Sequence, residues 1–249
     1  MSAKENPESG RLRDAAVACA KSCRTRFTRF LEPPAFAEAM RAARAAGVQC
    51  ALEGGFDGAE RRMAAFFCEA EPEAEQWPIK RLRISWNEKF ASVSHRDLLG
   101  ALMGLGITRE CTGDIVLGEG EAFVFAAAES APYIMGNLIS AGRAHVRVEE
   151  AGPQCALPEP KGRVKRITLA SDRLDAVLAG ALNISRAQAQ ALVERELVKL
   201  NHIPCNRADA RLNADDLISA RGYGRFRLTE DFQATRKGRL AVQIFWYGE

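Results

Sequence analysis

The sequence predicts an α+β protein, and three observations lead there. Residues 79–148 alternate strand-like and helix-like segments in the order β-α-β-β-α-β. Residues 171–201 read as helix, turn, helix, strand. The composition, 47% apolar and 27% charged over 249 residues, is that of a folded chain long enough for two or three domains. The expected organisation is a small, mainly helical N-terminal region (1–78), a middle domain (79–150), a linker (151–165) and a C-terminal domain (166–249) that ends in a strand.

At the N-terminus, Leu12, Ala15, Ala16, Cys19 and Cys23 recur at helical spacing within residues 11–31, before Glu32-Pro33-Pro34. A second helix is expected from about Ala35 to Ala46, closed by Gly47. The glycines of Glu53-Gly54-Gly55-Phe56-Asp57-Gly58 match neither a phosphate-binding loop nor a dinucleotide fingerprint and imply a tight turn before the apolar cluster Met63 to Cys68. In the middle domain, Ile79 to Trp86, Ile115 to Leu117, Ala122 to Ala127 and Ala144 to Val148 are the expected strands. His95 to Leu105 and Glu129 to Ser140 are the helices. This is the ferredoxin-like plan that many RNA-recognition modules use, although the paired aromatics that stack bases in those modules are missing from the pattern.

Pro153, Pro158 and Pro160 mark the linker. Beyond it, Leu174, Val177, Leu178, Ala181 and Leu182 form the apolar stripe of one helix, and Asn183 breaks it. Ser185 and Gln188 then form a capping box for a second helix. Arg186 falls in the first turn of that helix, where the helix dipole disfavours a cation unless an anion is near; a phosphate would be such an anion. Leu197 to Asn201 reads as a strand, and Asp215 to Ser219 as a turn into its partner. The glycines of Arg221-Gly222-Tyr223-Gly224-Arg225-Phe226 shape another turn. Arg236-Lys237-Gly238-Arg239 leads into the alternating strand Leu240 to Tyr247.

The net charge of +3 is uneven: residues 151–249 hold 16 basic and 11 acidic side chains, against 19 and 21 in 1–150. The basic third suits a nucleic-acid partner. No apolar run approaches a membrane span and the N-terminus lacks a signal-peptide core, so a cytoplasmic protein with no membrane partner is expected. Seven scattered cysteines without a C-x-x-C pair indicate neither a disulfide framework nor a metal site, and reduced thiols are expected. His145 and His202 stand alone. His95-Arg96-Asp97-Leu98 resembles a kinase catalytic loop but lacks its asparagine, having Leu102 instead; His95 and Asp97 are expected to cap a helix, with Arg96 facing outward. No cofactor or small-molecule substrate is expected.

Arg173-Leu174-Asp175, Ser185-Arg186, Val198-Lys199-Leu200-Asn201 and Asp216-Leu217-Ile218-Ser219 together resemble the S4 domain, a small RNA-binding fold. The resemblance places Arg173, Arg186 and Lys199 at RNA-facing positions, as phosphate contacts more than base readers. One departure is Glu196, where the family usually has the glycine of a tight turn. Arg166, Ser185, Gln190, Asn201, Arg221 and Arg225 complete the candidate RNA contacts of this domain, whereas Arg195, Arg207 and Arg211 read as solvated charge. Asp175 also resembles the aspartate of pseudouridine synthases, but its place inside the S4-like unit favours an ion pair or a helix-start charge.

Further motifs carry a wider resemblance. Gly54-Gly55-Phe56-Asp57-Gly58-Ala59-Glu60-Arg61, Ser94-His95-Arg96-Asp97-Leu98-Leu99-Gly100-Ala101-Leu102, Gly104 to Arg109 and Gly113-Asp114-Ile115 resemble the bacterial YlmH family over nearly the whole chain. The resemblance implies a non-enzymatic protein that binds rRNA and tRNA on large ribosomal subunits blocked by peptidyl-tRNA, in ribosome-associated quality control. Arg96 and Arg109 would then supply a second RNA contact in the middle domain. The competing readings are an RNA-modifying enzyme and a scaffold linked to cell division.

Overall fold

The computed structural model describes residues 7–89, 91–159, 162–235 and 238–247. Arg236-Lys237, and Pro160 of the expected linker, lie outside them. The chain divides into two compact units, Met1–Glu159 and Pro160–Glu249.

In the first unit, α1 (Pro7–Ser22) begins and ends earlier than its apolar spacing suggests, stopping where Cys23 takes a φ of 48°. Strand β1 (Arg26–Phe27) follows, then α2 (Pro33–Ala46), closed by Gly47 at φ 72° as expected. The helical N-terminal region also contains a sheet that was not expected, with order β1-β3-β2, formed with β2 (Gln49–Glu53) and β3 (Met63–Phe67). All five residues of β3 are buried. Ala64 and Phe66 face α1 and α2, while Met63, Ala65 and Phe67 face the opposite way. A strand covered on both sides is apolar throughout, so the alternation that would reveal it is absent.

The next elements are β4 (Ile79–Trp86), α3 (His95–Gly104), β5 (Thr112–Leu117), β6 (Glu121–Ala127), α4 (Ala131–Asn137), β7 (Ser140–Ala141) and β8 (Ala144–Glu150). They form an antiparallel sheet of order β5-β6-β4-β8-β7, and the β-α-β-β-α-β order read from the sequence is present. Leu82, Ile84, Val124 and Ala126 pack beneath α3 and α4 with Leu98, Leu102 and Ile134. On the sheet's other face, Phe123 and Phe125 meet Phe30, Met63, Phe67 and Trp77. The N-terminal sheet is thus seated on the face that the helices leave open.

The second unit contains β9 (Gly162–Leu169), α5 (Leu174–Leu182), α6 (Arg186–Glu194), β10 (Val198–Leu200), β11 (Ile203–Pro204), β12 (Leu217–Ala220), β13 (Gly224–Leu228), β14 (Gln233–Ala234) and β15 (Leu240–Tyr247). Its seven strands run β11-β10-β12-β13-β15-β14, with β9 also paired along β15. Strand β9 occupies part of the segment expected as linker. Both helices cover one face, burying Val177, Leu178, Ala189 and Val193 against Ile218, Phe226, Val242 and Ile244. Asn183 ends α5 at φ 57°, and Ser185 with Gln188 caps α6. Glu196 adopts φ 56°, while Glu196 N–H bonds Val193 O and Leu197 N–H bonds Leu192 O. The turn usually made by glycine is therefore kept, with a glutamate in the left-handed region.

Candidate RNA interface

Three of the candidate contacts converge on one side chain. Asp175 lies in the first turn of α5, and its side chain has no exposed surface. Arg186 Nη2 donates to Asp175 Oδ2 at 2.7 Å and Gln190 Nε2 donates to the same oxygen at 3.0 Å. Arg173 Nε lies 3.4 Å from Oδ1. Burial works to raise the carboxyl's pKa, but the hydrogen bonds from Gln190 and Arg186 and the two nearby guanidinium charges outweigh it and hold Asp175 below its ordinary value. The anion that Arg186 needs at the helix N-terminus is therefore internal, where the sequence suggested a phosphate. Ser185 positions the same helix: its hydroxyl accepts from Gln188 N–H at 3.2 Å.

Two positive charges around one negative leave the cluster positive. Arg186 keeps half of its side-chain surface in water and Arg173 41%. The loop 207–212 brings two further guanidinium groups to the same place. Leu174 N–H bonds Ala210 O, Asp175 N–H bonds Ala208 O and Leu212 N–H bonds Asp172 O, so the loop is tied to the start of α5. Arg211 lies opposite Arg173 in an isolated bridge, and Arg207 and Arg211 are both exposed, each beside an aspartate at 3.5 Å. Both were read as solvated charge, because only the loop's backbone bonds bring them to this place.

The other C-terminal candidates lie elsewhere. Asn201 is held in a turn, its Oδ1 accepting from Leu217 N–H at 2.9 Å and its Nδ2 donating to Asp216 at 2.7 Å. Arg221 is exposed in the turn before β13. Lys199, Arg225 and Arg166 sit on the sheet face away from the helices, at register positions that run from β10 through β13 to β9.

In the first unit, Arg96 is exposed near the start of α3 and lines a groove of about 610 Å³ with Asp97, Gly100 and Ile139. The helix cap is Ser94, not His95; Asp97 completes a capping box with it, and hydrogen bonds from Ser94 hold Asp97 below the usual carboxylate range. Arg109 turns inward: its carbonyl accepts from Arg61 Nη2 at 2.9 Å, and its own Nη1 is buried without a hydrogen-bond partner. No interaction brings Arg96 and Arg109 together among the described residues.

Arg61 is a buried staple. Its side chain, 7% exposed, donates to Thr112 O at 2.9 Å, Glu32 Oε1 at 3.0 Å and Phe30 O at 3.4 Å. Asp114 accepts the backbone N–H groups of Glu60 and Arg61 at 2.5 and 3.3 Å, and burial pushes its carboxyl up. Gly55 presses on Phe125, whose ring would lie 2.5 Å from an added Cβ. The glycine-rich motif thus locks the N-terminal sheet onto the middle domain. Among the described residues no group of three or more His, Cys, Asp or Glu could hold a metal ion, and no helix is long and apolar enough to cross a membrane.

Residues 72–154 match the family model described as a putative RNA-binding domain in YlmH. The chain is 34% identical over 221 residues, 88% of its own length and 86% of the relative's, to the Ribosome-associated protein quality control protein P2 of Bacillus subtilis (strain 168). It belongs to the YlmH family. A solved structure, the cell division protein ylmH from Streptococcus pneumoniae, shares the fold with a TM-score of 0.52 at 23% identity, over 61% of this chain and 93% of that one. The matched YlmH domain spans β4 to β8, the sheet whose Phe123 and Phe125 are covered by the N-terminal sheet. Arg81 lies 4.7 Å from the Phe123 ring centre within this packing. At the rim Arg83 bonds Glu121 at 2.7 Å, and Lys80 bonds Glu150 at 2.7 Å. In this YlmH chain that face is therefore closed to stacked bases, and Arg96 is the exposed candidate left on the domain.

Proposed function

We propose that this chain is a non-catalytic RNA-binding protein that grips rRNA and tRNA backbone on the large ribosomal subunit and stabilises peptidyl-tRNA in ribosome-associated quality control. The observation that carries the reading is the pair of half-exposed guanidinium groups, Arg173 and Arg186, held by one buried carboxylate beside Arg207 and Arg211. A buried anion fixes the two forks in advance, and their solvent-facing N–H groups remain suited to phosphate oxygens. The name of the Bacillus subtilis relative supports a ribosomal setting. Asp175, the one aspartate that resembles a catalytic group, has no surface for a substrate to reach. It acts as the anchor of the basic cluster.

The test is co-sedimentation with large subunits carrying peptidyl-tRNA over a salt series. Each lost phosphate contact lowers the slope of log K against log salt by about 0.9 on duplex and about 0.7 on single strands. The double variant Arg207→Ala, Arg211→Ala leaves Asp175's partners in place and is expected to bind more weakly with a shallower slope. Arg173→Ala, Arg186→Ala should weaken binding further. Equal retention of all three proteins would refute this placement of the site. A defined RNA modification that Asp175→Asn abolishes would refute the non-catalytic reading.

A further inference from the structure

The face of the C-terminal sheet opposite α5 and α6 pairs rings with guanidinium groups. Strand alternation sends Val242, Ile244 and Trp246 of β15 inward and Gln243, Phe245 and Tyr247 outward. Across the register, Arg225 stands beside Tyr247, Arg227 beside Phe245, and Lys199 and Arg166 lie further out on β10 and β9. Phe245 and Tyr247 meet edge to face at 5.0 Å, and Arg225 lies 4.7 Å from the Tyr247 ring centre. Neither ring belongs to the hydrophobic core beneath the helices, and Val164 on the same face is 58% exposed. Arg227 Nε is buried with no hydrogen-bond partner. At the outward register positions of β9, β10, β12, β13 and β15 there is no acidic residue.

We infer that this face is a second RNA site, a platform on which unpaired bases stack over Tyr247 and Phe245 while Arg225, Arg227, Arg166 and Lys199 hold the backbone. Rings that offer a π-face next to cations suit single-stranded nucleic acid and read little sequence, since every base can stack. A duplex cannot use the site, because its bases are already stacked on one another. Four cations on one face, with no acidic residue at its described register positions, favour a polyanion over a protein surface. The inference rests on the RNA-binding reading above. It concerns the face of the domain away from the Asp175 cluster.

The test measures fluorescence polarisation of the full chain with a labelled single-stranded 12-mer of uridine and with a duplex of the same length, at raised salt to weaken pure phosphate contacts. Losing one stacked base should weaken single-strand binding roughly 5- to 100-fold in Tyr247→Ala, with Tyr247→Phe retaining most of the affinity. Arg225→Gln, which leaves both rings in place, should weaken it as well. Unchanged affinity in both Tyr247→Ala and Arg225→Gln would overturn the inference, as would equal affinity of the wild type for strand and duplex. So would light scattering that finds a dimer which Tyr247→Ala converts to monomer, since the face would then belong to a second copy. Subunit sedimentation of the same proteins separates the two readings: loss of oligouridine binding alone leaves the Asp175-centred function standing. Failure of ribosome binding with Tyr247-dependent oligouridine binding leaves only this site.

Discussion

Replacing Asp175 with asparagine keeps the shape of the side chain and removes its charge. In the native chain Arg186 and Gln190 donate to Oδ2 at 2.7 and 3.0 Å, and Arg173 Nε stands 3.4 Å from Oδ1. A hydrogen bond to a charged group contributes about 1.5–3 kcal/mol net. Arg186 is half exposed, so water screens part of its share, and Arg173 adds little at its distance. The expected loss is about 2–3 kcal/mol for Asp175→Asn. It rises to about 3–5 kcal/mol for Asp175→Ala, which also leaves a cavity and a partly buried Gln190 amide without its acceptor. Because the folded chain holds this carboxyl below its ordinary pKa, the stabilisation is complete above the unfolded value of about 3.9 and is lost as pH falls through the folded one. Urea denaturation at pH 7 and at pH 3 measures the gap between wild type and variant. Hydrogen exchange of residues 172–182 localises it, because the Leu174 and Asp175 amides bond the 207–212 loop. A gap that is absent at pH 7, or that does not narrow as the solution is acidified, would refute the reasoning.

Glu196→Gly should raise the urea midpoint, because an L-residue in the left-handed region costs about 1–2 kcal/mol, offset in part by the greater freedom of glycine in the unfolded chain. A lowered midpoint would show that the glutamate side chain contributes more than its backbone costs. Arg61→Met should destabilise the first unit by about 3–5 kcal/mol, because it strands the carbonyls of Thr112, Phe30 and Arg109 in a buried place; thermal denaturation by circular dichroism checks it. Gly55→Ala should lower the melting temperature of the same transition, since its φ of 93° and the Phe125 ring both oppose a Cβ. Asp114→Asn should leave stability at acidic pH little changed and raise it relative to wild type near neutrality. Burial lifts the Asp114 pKa, so the wild type loses this contribution as pH rises through the folded value. Denaturation at pH 4 and pH 7 distinguishes the two.

The elements that were legible are those in which polar and apolar residues recur at a regular period. Strand β4 alternates because Leu82 and Ile84 enter the core under α3 and α4 while Arg81 lies over Phe123 and Arg83 reaches Glu121 at the rim of the other face, and α5 and α6 show an apolar stripe with caps at Ser185 and Asn183. Strand β3 was hidden because Met63 to Phe67 is apolar on both faces. At the basic cluster, Arg173, Arg186 and Gln190 were legible one by one, and the misplaced cation at the start of α6 signalled a missing anion. That this anion is Asp175, eleven residues from Arg186, depends on the packing of α5 against α6. The staple was legible only as a motif: Arg61 and Thr112 are 51 residues apart, and sequence spacing does not relate them.

Strand β3 serves two cores at once, and this governs how the protein can be cut. A fragment beginning near residue 79 would carry every residue of the β4 to β8 sheet yet strip Phe123 and Phe125 of their cover. Such a fragment would present two adjacent phenylalanines with Arg81 above them, a surface that adheres to bases and to other fragments alike. RNA binding measured on the isolated domain would then report a face made by the scissors, which the intact chain keeps sealed.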